Sequence, residues 1–200
     1  NRMLMKIIKL YFLMALALLS GGCKGWLTID SSDRIMENTL FETEEGFFTA
    51  LNGVYAELPQ ASLYGKSLAA VTFDVQAQYF DTTQPSTHTF NKAYFVIANV
   101  NKILEHCESD RDVLSDRAYH IIRGEMLGMR ALLHFEMLRI FGPVFAEAPA
   151  RVSIPYRTSS ELTVTPLLPA NEVAEKIAGD FTDALSELAE WDPVRTEGRL

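Results

Sequence analysis

Apolar residues recur at helical spacing along most of this chain, and this periodicity constrains the fold more than any other feature of the sequence. The longest predicted helix spans residues 115–141 and is followed by Gly142 and Pro143, residues that commonly end a helix. Because apolar residues lie on two of its sides, this helix must pack against neighbours on two sides. Gly128 and Ala131 on the second side are small enough to let another helix approach closely. The first apolar stripe consists of Ala118, Ile121, Ile122, Met126, Met129, Leu133, Met137 and Ile140.

Other stretches show the same periodicity rather than the alternation typical of strands. One predicted helix begins after Thr43, a plausible N-cap, carries Glu44 and Glu45 in its first turn, and ends before Pro59. The remaining predicted helices span about residues 63–80, 90–104 and 170–189. The inner face of the last helix is predicted to consist of Val173, Ile177, Phe181, Ala184, Leu185 and Leu188.

Residues 81–89 and 143–169 are predicted to be loops because of their composition and their prolines. The second is longer than an ordinary connection, which indicates a functional or edge-covering role. Asn101 falls on the buried side of its predicted helix, so we expect a structural hydrogen bond from its amide to a neighbouring helix. The sequence thus predicts an all-α fold of antiparallel helix pairs with long loops.

The N-terminus has the pattern of a secretory signal peptide, predicted to span residues 1–22. Lys6 and Lys9 precede an uncharged apolar run at residues 10–19, which is too short to cross a hydrocarbon layer of ~30 Å as a helix. Three small residues then lead to Cys23, whose sulfur is predicted to be acylated and to hold the protein on a membrane. A cleaved signal with an incidental cysteine and a short membrane anchor are the alternatives.

The chain after the leader is predicted to comprise an extended, lipid-proximal arm at residues 23–42 and a helical domain at residues 43–200. Removal of the leader leaves 15 basic residues against 26 acidic ones, which argues against binding to nucleic acid or to an anionic lipid surface. Cys107 lies in a helical pattern and is interpreted as a small core residue. An acylated Cys23 leaves it no partner for an intramolecular disulfide.

The sequence contains no combination of residues that is typical of catalysis or of metal binding. Its four histidines lack the i, i+4 spacing of a helical zinc site, and no nucleophile elbow or phosphate-binding glycine loop is present. Glu125 and Arg130 on the longest helix lie five positions apart, so we interpret them as partners of residues on adjacent helices. We therefore predict no enzyme activity, no metal and no cofactor.

The longest predicted helix also carries a family motif. It contains Gly124-Glu125, then Arg130-Ala131, aromatic residues, and Gly142-Pro143, and this run resembles the hallmark of the SusD/RagB family. Other segments that occur in the family's order are Cys23, Phe41-x-Thr43, Ala50-Leu51-Asn52-Gly53-Val54-Tyr55, Tyr94-x-x-Ile97-x-x-x-Asn101, Ile154-Pro155 and Ile177-x-x-Asp180-Phe181-x-x-Ala184. Departures from the family's pattern are Met126 for alanine, Phe90 for a common tryptophan, and the early Pro143.

The resemblance implies an outer-membrane lipoprotein with a tetratricopeptide-like helical scaffold, exposed at the cell surface. Such proteins form a lid on a TonB-dependent, SusC-like transporter and capture glycans, sometimes peptides, for import without catalysis. Members are usually more than twice as long as this chain, so the chain resembles an N-terminal portion of the family.

Sugar binding normally requires exposed aromatic rings beside polar groups. The candidates are Tyr79, Phe80, Asp81 and Gln84 in and before the predicted loop, with Gln78 and Phe90 beside them. The alternative is that these aromatic residues belong to the core, as we also expect for Trp26 and Trp191. A second functional hypothesis is a membrane-tethered helical scaffold that binds a protein partner and no small ligand.

Overall fold

The computed structural model describes residues 39–59, 63, 83–161 and 163–191, and in this part of the chain four α-helices follow one another. They are α1 (Glu44–Glu57), α2 (Thr83–Ser109), α3 (Asp116–Phe141) and α4 (Ala170–Leu188). A 3₁₀ turn at Arg111–Val113 precedes α3, and the strands β1 (Val152–Pro155) and β2 (Leu167–Pro169) lie between α3 and α4. The helices pack antiparallel, which confirms the predicted all-α class with paired helices and long loops.

Helix α1 begins where the sequence predicts. The Oγ1 atom of Thr43 accepts a hydrogen bond of 3.1 Å from the Gly46 N–H, which satisfies one of the free amide groups of the first turn. Phe47, Leu51 and Val54 are buried at helical spacing and form the stripe that joins α1 to the bundle.

Helix α2 begins at Thr83, so the prediction of a loop at residues 81–89 is wrong from residue 83 onward. Pro85 lies in the first turn. The N–H groups of a first turn have no acceptor within the helix, so the missing N–H of a proline costs no helical hydrogen bond there. This earlier start makes α2, with 27 residues, one residue longer than α3, which was predicted to be the longest helix. The predicted helix at residues 63–80 lies outside the described residues except for Leu63, which is buried.

Helix α3 is capped by Ser115, whose Oγ atom accepts a hydrogen bond from the Ala118 N–H, and it ends at Gly142. Its predicted packing on two sides is confirmed, because α3 contacts both α2 and α4. At Gly124, rather than at Gly128, side chains of α4 leave no room for a Cβ atom. A Cβ atom added to Gly124 would lie 2.7 Å from Cγ of Leu188, whereas one added to Gly128 would lie at an ordinary 3.7 Å from Ala184.

The connection between α3 and α4 contains an antiparallel strand pair that the sequence analysis did not predict. Val152 pairs with Pro169, and the strand pair brings this connection back to the start of α4. Pro169 cannot cap α4 with its side chain, but the N–H groups of Ala170 and Asn171 donate to the carbonyls of Arg151 and Pro149. The loop thus satisfies amide groups at the start of α4.

The inner face of α4 differs from the predicted one. Phe181 and Leu185 were predicted to face inward, but they are 37% and 58% exposed. The buried residues of α4 are Ala170, Val173, Ile177, Asp180 and Ala184. The stripe is rotated because Asp180 takes an inward position, where a basic partner on α3 compensates for the burial of its charge. Within the described residues, no helix is both long enough and apolar enough to cross a membrane.

Two helical glycines lead to opposite predictions. Gly53 has no neighbouring atom within 4 Å of an added Cβ, so Gly53→Ala should raise the free energy of unfolding by about 0.5–1 kcal/mol by restricting the unfolded chain. Gly124→Ala should instead destabilise the protein by about 1–3 kcal/mol, because its methyl group would overlap Leu188. Urea denaturation of both variants measures the difference. Equal effects would contradict the close approach of α3 and α4.

Candidate functional site

The ligand residues predicted from the sequence fall largely outside the described part of the chain. Tyr79, Phe80 and Asp81 are not among the described residues, and Gln84 lies in the first turn of α2 without a described side chain. Phe90, the neighbouring aromatic candidate, packs against the core with its ring centroid 4.5 Å from Tyr94 and 5.3 Å from Phe141. The interpretation of Phe90 as a packing residue is therefore the correct one, whereas the other candidates remain predictions.

A cluster of buried polar side chains lies where α2, α3 and α4 meet the loop after β1. We call it the polar cluster, and it consists of Asn101, Arg130, His134, Tyr156 and Asp180. Arg130 donates two hydrogen bonds to the Asp180 carboxylate, from Nε at 2.6 Å and from Nη2 at 2.7 Å, and a third at 3.1 Å to Oδ1 of Asn101. Two parallel bonds between a guanidinium group and a carboxylate fix both side chains in one geometry.

Asn101 meets the expectation drawn from its position. Its Oδ1 atom accepts from Arg130 on α3, and its Nδ2 atom donates at 3.2 Å to the carbonyls of Arg157 and Ser159 in the loop. The predicted structural hydrogen bond to a neighbouring helix is confirmed. The contacts with the loop were not predicted, because they join residues 56 and 58 positions apart in the sequence.

The electrostatics of the polar cluster favour a charged pair beside neutral rings. Burial lowers the pKa of Arg130, but the bonds to Asp180 outweigh it and the net pKa is raised, so the guanidinium stays charged. Burial and the hydrogen bond to Asp180 raise the pKa of Tyr156, which keeps its hydroxyl protonated. Burial is the main cause that lowers the pKa of His134 to about 4, so its imidazole is neutral near pH 7.

Nothing in the polar cluster points to catalysis. Its polar groups bond to one another and to the loop backbone, and the prediction that Arg130 pairs with an adjacent helix is confirmed. Glu125 likewise accepts a hydrogen bond of 2.9 Å from the Tyr55 hydroxyl of α1, as predicted. The role of Asp180 was missed, although its spacing from Ile177 and Ala184 places it on the buried stripe and could have indicated a buried partner for Arg130.

His106 and His120 also make structural contacts. His106 bonds to Asp110, and His120 bonds to Glu187 and stacks on Trp191 with ring centroids 5.3 Å apart. Among the described residues, no three histidine, cysteine, aspartate or glutamate side chains are grouped so that they could hold a metal ion. Cys107 is buried in the core as expected, and burial raises the pKa of its thiol to about 12, which keeps it unreactive.

An apolar groove of about 620 Å³ lies between the end of α3, the turn after it and the middle of α4. Phe135, Phe145 and Phe181 contribute partly exposed rings, and Arg139 contributes a charged group. The full lining consists of Phe135, Leu138, Arg139, Pro143, Val144, Phe145, Ala174, Ile177, Ala178 and Phe181. Exposed rings without several polar donors suit apolar side chains better than the hydroxyl groups of a sugar.

A family model described as "Starch-binding associating with outer membrane" matches residues 32–192, which is most of the chain. The protein belongs to the SusD-like family. The predicted recognition is thus confirmed, and the family, whose model is described as starch-binding and outer-membrane-associated, agrees with the prediction of a binding protein rather than an enzyme. No protein with curated annotation matches this sequence.

Solved structures of SusD-like proteins share the fold. A SusD superfamily protein from Bacteroides fragilis is 22% identical with a TM-score of 0.61, over 70% of this chain and 38% of its own. A SusD-like carbohydrate binding protein from Bacteroides vulgatus is 20% identical with a TM-score of 0.60, over 72% of this chain and 35% of its own. The protein NanU from B. fragilis is 23% identical with a TM-score of 0.56, over 80% of this chain and 34% of its own. The chain therefore spans a little over a third of the length of these relatives.

Proposed function

We propose that this SusD-like protein is an outer-membrane lipoprotein that binds a glycan, or another nutrient oligomer, and delivers it to a TonB-dependent, SusC-like transporter. The observation that supports this proposal best is the family match over residues 32–192, which begins nine residues after the predicted acylation site at Cys23. A lipid at that position would keep a binding domain at the membrane where a transporter takes up its substrate.

The lipid anchor leads to the first test. Several acyl chains hold a protein firmly on a membrane, whereas one chain binds only marginally. Cys23→Ser should therefore move the protein from the membrane fraction to the soluble fraction, and mass spectrometry of the mature protein should show the loss of its acyl groups. Cys107→Ala is the matched control, because it removes the other cysteine and should leave the protein acylated. An unmodified sulfur on Cys23 in the wild-type protein would contradict the anchor.

Ligand binding is tested by thermal unfolding with a panel of starch-derived and other oligosaccharides. A ligand at 100 times its Kd stabilises the folded state by about 2.7 kcal/mol, so a binding sugar should raise the Tm by several degrees. The Tyr79→Ala/Phe80→Ala variant should lose this rise, since stacking on these rings is the proposed contact. Phe90→Ala is the control, because it should lower the Tm of the free protein and retain the rise.

A membrane-tethered scaffold that binds a protein partner and no small ligand is the second candidate function. The apolar groove favours it, because the exposed rings of Phe135, Phe145 and Phe181 would fit apolar side chains of a partner protein. Two results together would favour this function over nutrient binding. The Tm would not rise with any oligosaccharide of a broad panel, and a protein partner would bind the wild-type protein but not the Phe181→Ser variant.

A further inference from the structure

Residues 155–160, which we call the tethered segment, begin at the last residue of β1 and are held by side chains from three helices. From α2, the Tyr94 hydroxyl donates to the Pro155 carbonyl at 2.7 Å, Asn101 donates to two carbonyls, and Glu105 accepts from the Ser160 N–H at 2.8 Å. From α4, the Asp180 carboxylate accepts from the Tyr156 hydroxyl. From α3, His134 accepts from the backbone N–H of Arg157 at 3.1 Å.

The contact with His134 requires one tautomer of a neutral ring. The imidazole is fully buried, and its Nδ1 atom lies 2.8 Å from the backbone carbonyl of Arg130. Since a carbonyl can only accept, Nδ1 must carry the proton and Nε2 must be the acceptor for the Arg157 N–H. A second proton on Nε2 would place two N–H groups against each other and would remove this bond.

The surroundings of His134 also oppose a positive charge. Two guanidinium groups face it, from Arg130 on its own helix and from Arg157 in the tethered segment, and both lower its pKa. The Asp180 carboxylate on α4 raises the pKa of His134 but is already bonded to Arg130 and to the Tyr156 hydroxyl. The rings of Tyr156 and of Tyr94 on α2 complete the surroundings, with centroids 4.0 Å and 5.9 Å from the imidazole.

We propose that His134 is an acid-sensitive tether, whose protonation releases the Arg157 N–H and loosens the tethered segment while the helical core stays folded. The pH window follows from the two states of the ring. In the closed state, in which the Arg157 N–H is bonded to His134, burial holds the pKa of His134 near 4. In the open state, in which the ring is released to solvent, its pKa regains the ordinary value of 6.5. The open state therefore binds more protons, so closure is fully favoured above pH 6.5 and weakens as the pH falls toward 4.

The far end of the tethered segment responds at lower pH. Burial raises the pKa of Glu105, but hydrogen bonds from Ser160 outweigh it and the net pKa lies below the ordinary 4.5. Glu105 therefore remains ionised across most of the window in which His134 takes up its proton. The loss of protection should begin at Arg157 and reach Ser160 only in stronger acid.

Amide hydrogen exchange followed by NMR tests the proposal. Linkage predicts a weakening of at most tenfold per pH unit and less near either pKa, so the protection factor of the Arg157 amide should fall by roughly 40-fold between pH 6.5 and 4.5. The amide of Leu133, which is buried in α3, should keep its protection over the same range. A constant Arg157 protection factor, or an equal loss at Leu133, would overturn the proposal.

His134→Gln separates protonation from packing, because a glutamine amide can accept from the Arg157 N–H but does not titrate. This variant should keep Arg157 protected down to pH 4.5, whereas the control His120→Gln should retain the wild-type pH dependence. Full pH dependence in His134→Gln would overturn the proposal. If this variant does not fold, the imidazole titration of the wild-type protein decides, because its midpoint must lie near pH 4, where the loss of Arg157 protection levels off, and a midpoint near 6.5 would overturn the proposal.

Discussion

Arg130→Met should lower the free energy of unfolding by about 3–5 kcal/mol, because it leaves the buried carboxylate of Asp180 without its positive partner. The same change removes the donor to Oδ1 of Asn101, whose side chain ties α2 to the loop after β1. Methionine fills a similar space, so most of the loss reflects the unpaired charge rather than a cavity. Urea denaturation followed by circular dichroism measures the change.

Two further variants separate charge from packing. Arg139→Met changes an arginine of the same helix whose side chain is half exposed. Its pair with Glu136 should contribute only about 0–1 kcal/mol to the free energy of unfolding. Arg130→Met/Asp180→Leu should regain much of the stability, because it removes both charges, and Tyr156 retains the Lys176 carbonyl as an acceptor at 3.3 Å. A loss in Arg130→Met no larger than that in Arg139→Met would contradict the buried pair.

The helix starts and the structural role of buried polar residues could be predicted from the sequence, because both depend on spacing within one helix. Thr43 and Ser115 act as N-caps in the structure because their side chains satisfy amides three residues later, a contact within one turn. Asn101 and Arg130 were assigned structural partners because a polar group on a buried or doubly packed helix requires one. Their actual partners, Asp180 and the loop carbonyls, come from distant positions that periodicity does not report.

The errors have local physical causes. The strands β1 and β2 contain four and three residues, too few for alternation to be recognised. The start of α2 reads as a loop by composition, yet a proline in a first turn costs no hydrogen bond. Phe181 and Leu185 were assigned to the core because they are apolar, whereas Asp180 was not included in the predicted inner face. The ion pair with Arg130 allows Asp180 to be buried, and α4 is rotated so that Phe181 and Leu185 are exposed instead.

The candidate sites were less predictable than the fold. The tethered segment depends on hydrogen bonds between residues 23 to 61 positions apart, which no local pattern specifies. The apolar groove forms from the end of α3 and the middle of α4, and Phe181, one of its exposed rings, was predicted to face inward. Tyr79, Phe80, Asp81 and Gln84 remain predictions from composition and order along the chain, as does acylation of Cys23.

Phe47→Ala should lower the free energy of unfolding by about 3–5 kcal/mol, because the ring of Phe47 is fully buried and its removal leaves a cavity between α1 and the bundle. The ring packs edge-on against Phe41 at 4.8 Å between centroids, and Phe41 in turn stacks on His106 of α2 at 3.9 Å. Thermal and urea unfolding of the variant measure the loss.

Phe95→Ala is the matched control, since it removes the same side chain from a position on α2 that is 53% exposed. This variant should lower the free energy of unfolding by about 1 kcal/mol or less, a figure that includes the lost contact of Lys92 with the Phe95 ring. The difference between the two variants measures what burial of one phenylalanine contributes to holding α1 on the bundle. If both variants lost the same stability, α1 would not be joined to the bundle through the stripe of Phe47, Leu51 and Val54.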